Sequence, residues 1–307
     1  MPASAYWLVW IPPLLWSGNY IVGRGFSETV PPFSLAFWRW VLAFAVVLPL
    51  AWTSLRAQAP LVRRHWKFLL AAGALGPLGY NGLIYLALQT SPALNVAMVN
   101  SATPLLIPVV SIVLTRERVL PRQWAGIFLS LLGVLYLVAR GEPGRLLGLR
   151  FQPGDLWVLW AVLNWSLYSS LLRFKPPEMK PLVLVAGTAF TGALVLLPFL
   201  FLEMAAGRTF PVRVPPLLAL VYVAVMASLV GYFFWNRSVG RLGPTRSGLV
   251  IHSMPVFVGV FGWILLGEPI RGYHLWGAVL IAAGIAVAMR SPRGRISPGE
   301  ETSPRKA

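Results

Sequence analysis

Cysteine is absent from all 307 residues, which excludes disulfides, thiolate metal sites and cysteine nucleophiles. Acid is scarce as well, with nine Asp and Glu against 26 Lys and Arg. None of those carboxylates lies deep within an apolar run, so no pair is placed for intramembrane acid/base work. The chain also lacks an HExxH helix and a Gly-rich loop ending in Lys-Ser/Thr, which argues against a zinc hydrolase and an ATP-driven pump. No enzyme activity, cofactor or metal is expected. Charge of either sign makes up only 11% of the residues.

What fills the chain instead is hydrocarbon: 57% hydrophobic residues and a mean hydropathy of +0.70, far outside the range of soluble domains. Charges cluster between apolar runs of about one helix each, apart from 68–115, which has more than twice the ~20 residues of one crossing. Turn chemistry at Gln89-Thr90-Ser91-Pro92 divides that run. The expectation is an all-α polytopic membrane protein of ten spans, at 5–23, 33–53, 67–88, 93–114, 120–139, 155–173, 181–202, 214–236, 245–266 and 271–289.

A formal charge of +17 raises the question of nucleic acid, but the basic residues sit on short loops rather than along one face. The positive-inside rule accounts for them. With the N-terminus inside, 18 Lys and Arg face the cytoplasm and seven face outward, with Arg39 inside a span. Both termini are therefore expected in the cytoplasm, with membrane lipid as a partner and nucleic acid excluded. The first span has neither a basic leader region nor a cleavage site and reads as a retained helix. Residues 291–307, SPRGRISPGEETSPRKA, have no apolar period and are predicted to form a disordered cytoplasmic tail.

The two halves repeat each other. TPLLIPVVSIVLTRERVLPRQWAGIFLSLLG lies over MPVFVGVFGWILLGEPIRGYHLWGAVLIAAG without a gap at a shift of 151. Pro104 then matches Pro255, Glu117 matches Glu268, Gly126 matches Gly277 and Gly133 matches Gly284. Earlier, LLWSGNYIVGR lies over LNWSLYSSLLR at a shift of 149, pairing Trp16 with Trp165. Five spans per copy is an odd number, so the second copy must enter the membrane upside down. The predicted units are residues 1–149, 150–290 (inverted) and the tail 291–307, an architecture used by alternating-access carriers.

Helical spacing nominates a cavity wall. Trp157, Trp160, Asn164 and Tyr168 share one face of span 6, as do Trp16, Asn19 and Tyr20 in span 1. Tyr80, Asn81 and Tyr85 in span 3 and Asn95, Asn100 and Ser101 in span 4 add to it. A polar amide in lipid is costly unless it finds a partner, so these faces turn inward, either to meet a small-molecule substrate or to bond a neighbouring helix. Arg39, two turns into span 2, either snorkels to headgroups beside Trp38 and Trp40 or holds a substrate carboxylate or a helix C-terminus. Trp7, Trp10, Trp124 and Trp276 read as interfacial anchors, and Glu117 and Glu268 as ion-paired span ends. Pro104 and Pro255 are paired hinge candidates. His252 is the one side chain at depth that titrates near neutrality; it is the candidate if protons drive transport, and otherwise a hydrogen-bonding residue.

The chain resembles the ten-helix, EamA-type branch of the drug/metabolite transporter superfamily over residues 5–290. The resemblance rests on LLWSGNYIVGR, FWRW around Arg39, YNGLIYLALQTSPALNVAMVNSATPLLIPVVSIVLTRE and SMPVFVGVFGWILLGEPI. It implies an inner-membrane bacterial exporter of small metabolites, commonly amino acids, with a central cavity formed by both repeats. Two departures stand out: span 7 has no arginine mirroring Arg39, and span 1 lacks the carboxylate that small multidrug relatives carry there. The aromatic wall points to amino acids that include aromatic or large apolar ones, with a passive channel or an exporter of other organic compounds as the alternative.

Overall fold

The computed structural model describes residues 8–290 except 27, 92, 149, 151, 267 and 268, together with the side chains of those residues other than 20, 24, 93–95, 97, 262, 265 and 266. The predicted tail, Trp7 and Glu268 thus lie outside the described residues. Every regular element among the described residues is helical. In chain order the principal helices are α1 (Ile11–Phe26), α2 (Pro32–Ala57), α3 (Trp66–Ala87), α4 (Ala93–Asn100), α5 (Thr103–Thr115) and α6 (Pro121–Val138). They continue with α7 (Pro153–Leu171), α8 (Pro181–Ala205), α9 (Val214–Leu242), α10 (Pro244–Leu249), α11 (Met254–Leu266) and α12 (Gly272–Met289).

Proline opens α2, α6, α7, α8 and α10, where its fixed φ suits the first turn and its missing N–H would have lacked a partner anyway. Left-handed residues end others: Arg116 (φ 52) after α5, Arg140 (φ 54) after α6 and Gly243 (φ 85) after α9. The open N-terminus of α2 is closed from another helix. Glu203, in the last turn of α8, accepts from Phe33 N (3.0 Å), Ser34 N (2.7 Å) and Ser34 Oγ (2.7 Å). A carboxylate there satisfies orphan donors and sits at the positive end of the helix dipole.

Seven stretches are long and apolar enough to cross a bilayer among the described residues: α2, α3, Met98–Thr115, α6, α8, α9 and α12. The other three expected spans miss that measure for physical reasons. α1 has 16 described helical residues, about 24 Å at 1.5 Å per residue. α7 carries Asp155, Asn164 and three serines. Between α10 and α11 the chain tightens into a 3₁₀ turn, Val250–Ser253.

That turn and the gap between α4 and α5 change the meaning of the two prolines. Both were expected as kinks within continuous spans. In the structure each occupies the second position of a restarted helix, Pro104 in α5 and Pro255 in α11, so the ladder is already broken one turn earlier. Breaks of another kind occur within α3 and α9, which widen to π-helix at Ala74–Gly82 and Val223–Val230. Single π-turns commonly mark functional sites.

The bounds of α5 and α6 recur in α11 and α12, displaced by 151 residues at all four ends. α6 and α12 cross at their glycines. A Cβ added to Gly126 would strike the Gly284 carbonyl, one added to Gly284 would lie 2.5 Å from the Gly126 carbonyl oxygen, and one added to Gly133 would lie 2.8 Å from that of Gly277. Backbone-to-backbone approach of this kind is how helices associate where lipid removes the hydrophobic drive. Gly284→Ala and Gly133→Ala should each destabilise the protein by about 1–3 kcal/mol through overpacking, seen as a lower Tm in detergent. Gly25→Ala, where an added Cβ meets nothing within 4 Å, should not lower it.

Candidate functional site

Arg39 lies in α2, fully buried at 0% exposure, which rules out its snorkelling to headgroups. Its Nε donates to Ser228 Oγ (2.7 Å) in the π-segment of α9, and its Nη1 donates to Asn81 Oδ1 (3.2 Å) and Tyr85 Oη (2.7 Å) on α3. The Tyr85 hydroxyl in turn donates a hydrogen bond to Asn19 Oδ1 on α1 at 2.8 Å. Asn81 Nδ2 donates to the Gly76 carbonyl (3.2 Å), and to Tyr232 Oη at 2.8 Å. One guanidinium therefore ties four helices together, through neutral acceptors alone. Among the described residues no carboxylate pairs with it.

Beside this network stands an aromatic cluster. Trp16 on α1 meets Trp165 on α7 edge-on at 5.0 Å, and both contact Trp235 on α9, at 5.4 and 5.3 Å. Tyr168 stacks on Trp165 at 5.2 Å, Tyr80 lies 4.8 Å from it, and Tyr232 packs against Trp40 at 4.7 Å. Each such pair adds roughly 0.5–1.5 kcal/mol beyond burial. Trp16 Nε1 donates to the Ala227 carbonyl (2.9 Å), Tyr168 Oη to Asn236 Oδ1 (2.8 Å) and Tyr80 Oη to Asn100 Oδ1 (3.1 Å). Among the described residues, the indole N–H groups of Trp40, Trp165 and Trp235 and the amide of Asn236 find no acceptor. These unmet donors stand beside the Arg39 network.

The two helix breaks meet a little further along. His252 Nε2 lies 3.0 Å from the Ser101 carbonyl oxygen, which only accepts, so Nε2 carries the proton. Its Nδ1 lies 2.6 Å from Ser130 Oγ on α6, and that hydroxyl also sits 2.9 Å from the Ile127 carbonyl. At 1% exposure, His252 is a bolt between the α4–α5 break, α6 and the α10–α11 turn. The broken turn frees other carbonyls, and Thr103 Oγ1 takes that of Asn100 at 2.7 Å.

The structure thus gathers Trp16, Asn19, Arg39, Tyr80, Asn81, Tyr85, Asn100 and Tyr168 around one centre, and sets Ser101 and His252 at the break. Asn164 turns back to the Trp160 carbonyl (2.8 Å) and packs against Gly79. Trp160, 56% exposed, points away from the cluster, as does Trp157. The side chains of Tyr20 and Asn95 lie outside the described residues. Spacing alone missed Trp40, which is buried rather than interfacial, together with Trp165, Ser228, Tyr232, Trp235 and Asn236. The repeat itself carried the signal for two of them: Trp165 is the mate of Trp16, and Tyr232 follows Tyr80 by 152 residues. At one end of the bundle, Glu28, Gln89 and Arg208 line a separate cleft of about 280 Å³.

The model of the EamA-like transporter family matches residues 3–139 and again 152–290. A probable amino-acid metabolite efflux pump of Salmonella typhimurium (strain LT2) is 28% identical over 89% of this chain and 91% of its own. The transporter YyaM of Bacillus subtilis (strain 168) is 26% identical over 84% of both chains. One crystal structure, 23% identical, superposes with a TM-score of 0.76 over 94% of this chain and 98% of its own. If His252 is a bolt, His252→Ala should cost about 1–3 kcal/mol by stranding a buried carbonyl and hydroxyl, whereas His252→Gln, which can still donate, should melt within a few degrees of the parent.

Proposed function

Because the chain belongs to the EamA-like transporter family, and is thus a multi-pass membrane transporter rather than an enzyme, we propose that it exports small amphipathic carboxylates by alternating access. Amino acids with aromatic or large apolar side chains are the first candidates. The observation that carries this reading is the buried, anion-free guanidinium of Arg39 beside the aromatic cluster. Removing a charge from water without a counter-ion costs several kcal/mol. A substrate carboxylate among Arg39 and the acceptor-free indoles would offset that cost, while the rings receive its apolar part. The Salmonella relative, named a probable amino-acid metabolite efflux pump, agrees with this class.

The mechanism follows from the repeats. Ten spans form if α4 joins α5, α10 joins α11, and α1 and α7 each cross once. The units 1–149 and 150–290 then lie in opposite orientations, both termini in the cytoplasm of a bacterial inner membrane. Repeat mates meet in space: Trp16 with Trp165, Ser101 with His252, and Gly126 and Gly133 with the mates of each other. Such crossing is what a two-fold axis between inverted copies produces, and a site on that axis can be exposed to either side by rocking one copy against the other. Broken helices at Pro104 and Pro255 serve as hinges, since no continuous ladder has to be disrupted there. His252 meets no acidic partner among its bonded neighbours and acts through hydrogen bonds rather than as a proton relay.

Counterflow in proteoliposomes should show saturable uptake of labelled tryptophan or phenylalanine driven by unlabelled substrate inside. A linear, unsaturable flux would identify a channel. Arg39→Gln should raise KM for these amino acids by about tenfold or more, as expected for a lost charge-assisted contact, with little effect on the matching amines that lack a carboxylate. Reporter tags at both termini should respond from the cytoplasmic side; opposite sides would contradict ten spans.

A further inference from the structure

At the end of the bundle where α5 stops, three contacts lie one above another. Deepest, Gly248 of α10 sits against Ile107 of α5, where an added Cβ would come within 2.7 Å of the Ile107 side chain. Next, the Ser111 and Ser170 hydroxyls join α5 to α7 at 2.8 Å. Uppermost is Glu117. Arg116 in the left-handed region turns the chain back over the end of α5, so that Glu117 N donates to the Ser111 carbonyl at 3.3 Å. Its carboxylate thereby reaches the turn between α9 and α10, and Oε1 would lie 3.2 Å from a Cβ placed on Gly243. Gly243 suits the φ of +85° there, and a side chain in its place would also crowd that oxygen.

The carboxylate is half-buried, and among the described residues its Oε2 has no hydrogen-bond partner. Burial pushes the Glu117 carboxyl up, while the Thr245 and Ser111 hydroxyls and the charges of Arg173 and Arg246 pull it back. Arg173 follows α7 and Arg246 belongs to α10. One acid at the tip of α5 is therefore attracted to two other helices, in a bundle where acids are rare and this end is rich in arginine. A mere helix stop requires no reach to a turn on another helix.

We propose that Glu117 is the latch of the cytoplasmic mouth, holding the tip of α5 against α7 and the α9–α10 turn, and that it must release for substrate to enter from the cytoplasm. The assignment of this mouth to the cytoplasm rests on the topology and alternating access proposed above. Both the latch and the access cycle respond to the same measurement in separable ways. The chain has no cysteine, so a single reporter can be introduced without background. Ser247→Cys places a thiol on α10 behind the latch, at a buried hydroxyl without a partner.

In inside-out vesicles, a membrane-impermeant maleimide should label this thiol about five to tenfold faster when Glu117→Gln is added, as a population shift of that size requires. Glu117→Asp, which keeps the charge, should restore part of the protection, and Tm should change little. An equal labelling rate in the Gln variant would overturn the latch. If Glu117→Gln fails to insert, Arg173→Gln with Arg246→Gln removes the same attraction from the other side and must give the same acceleration. A second reporter, Val30→Cys, at a buried side chain lining the cleft at the opposite end, tests the cycle apart from the latch. Alternating access requires its labelling from outside to slow as Ser247→Cys speeds up; acceleration at the inner site alone keeps the latch and removes the rocking motion.

Discussion

Hydrocarbon offers no hydrogen bonds, so every polar group drawn into this bundle has to be answered by another part of the same chain. That constraint organises the structure more than apolar burial does, because lipid tails are as apolar as leucine. Where a helix is interrupted, the freed carbonyls of Asn100 and Ser101 are taken by Thr103 and by His252 from a distant segment. Where α3 widens, the Gly76 carbonyl receives the Asn81 amide. Where α2 begins, the Glu203 carboxylate of α8 takes up its open donors. At the α4–α5 break and at the start of α2, the irregularity becomes a link between distant segments.

The same constraint makes the exceptions informative. Among the described residues, Arg39 carries a full charge and is given only neutral acceptors, and three indole N–H groups nearby are given none. A bundle built only to be stable would gain by replacing such groups with apolar ones. Unanswered donors at the centre make sense if a molecule carrying acceptors passes through, and the aromatic rings around them suit its apolar part. Elsewhere the packing leaves little slack: α6 and α12 touch through backbone at paired glycines, while before Pro104 and Pro255 no continuous helical ladder runs.

Much of this was legible in the chain itself. Composition and run lengths established a helical membrane protein, and motifs such as LLWSGNYIVGR and FWRW pointed to the family that the EamA model matches. The candidate site was legible in part. Spacing singled out Trp16, Asn19, Asn81, Tyr85 and Tyr168, because polar and aromatic residues aligned at mid-depth need an explanation. It also singled out Trp160, which faces outward, and it set Trp40 at the interface although that ring is buried. A face of one helix cannot say which neighbour covers it. Trp235 and Asn236 were overlooked for the converse reason: both stand near the end of an apolar run, before Arg237, where a sequence alone reads an interfacial belt.

The sequence by itself determined the class, the family and the periodic repeat, because these depend on transfer from water and on residue order, and both are properties of the chain alone. Only the tertiary structure decided which repeat mates meet, that Arg39 is held without a counter-ion, that the prolines follow breaks rather than make them, and that Glu117 reaches the turn at Gly243. Those facts depend on contacts between residues as many as 189 positions apart, as with Arg39 and Ser228. Their energies come from distance and desolvation, which exist only once the helices have packed.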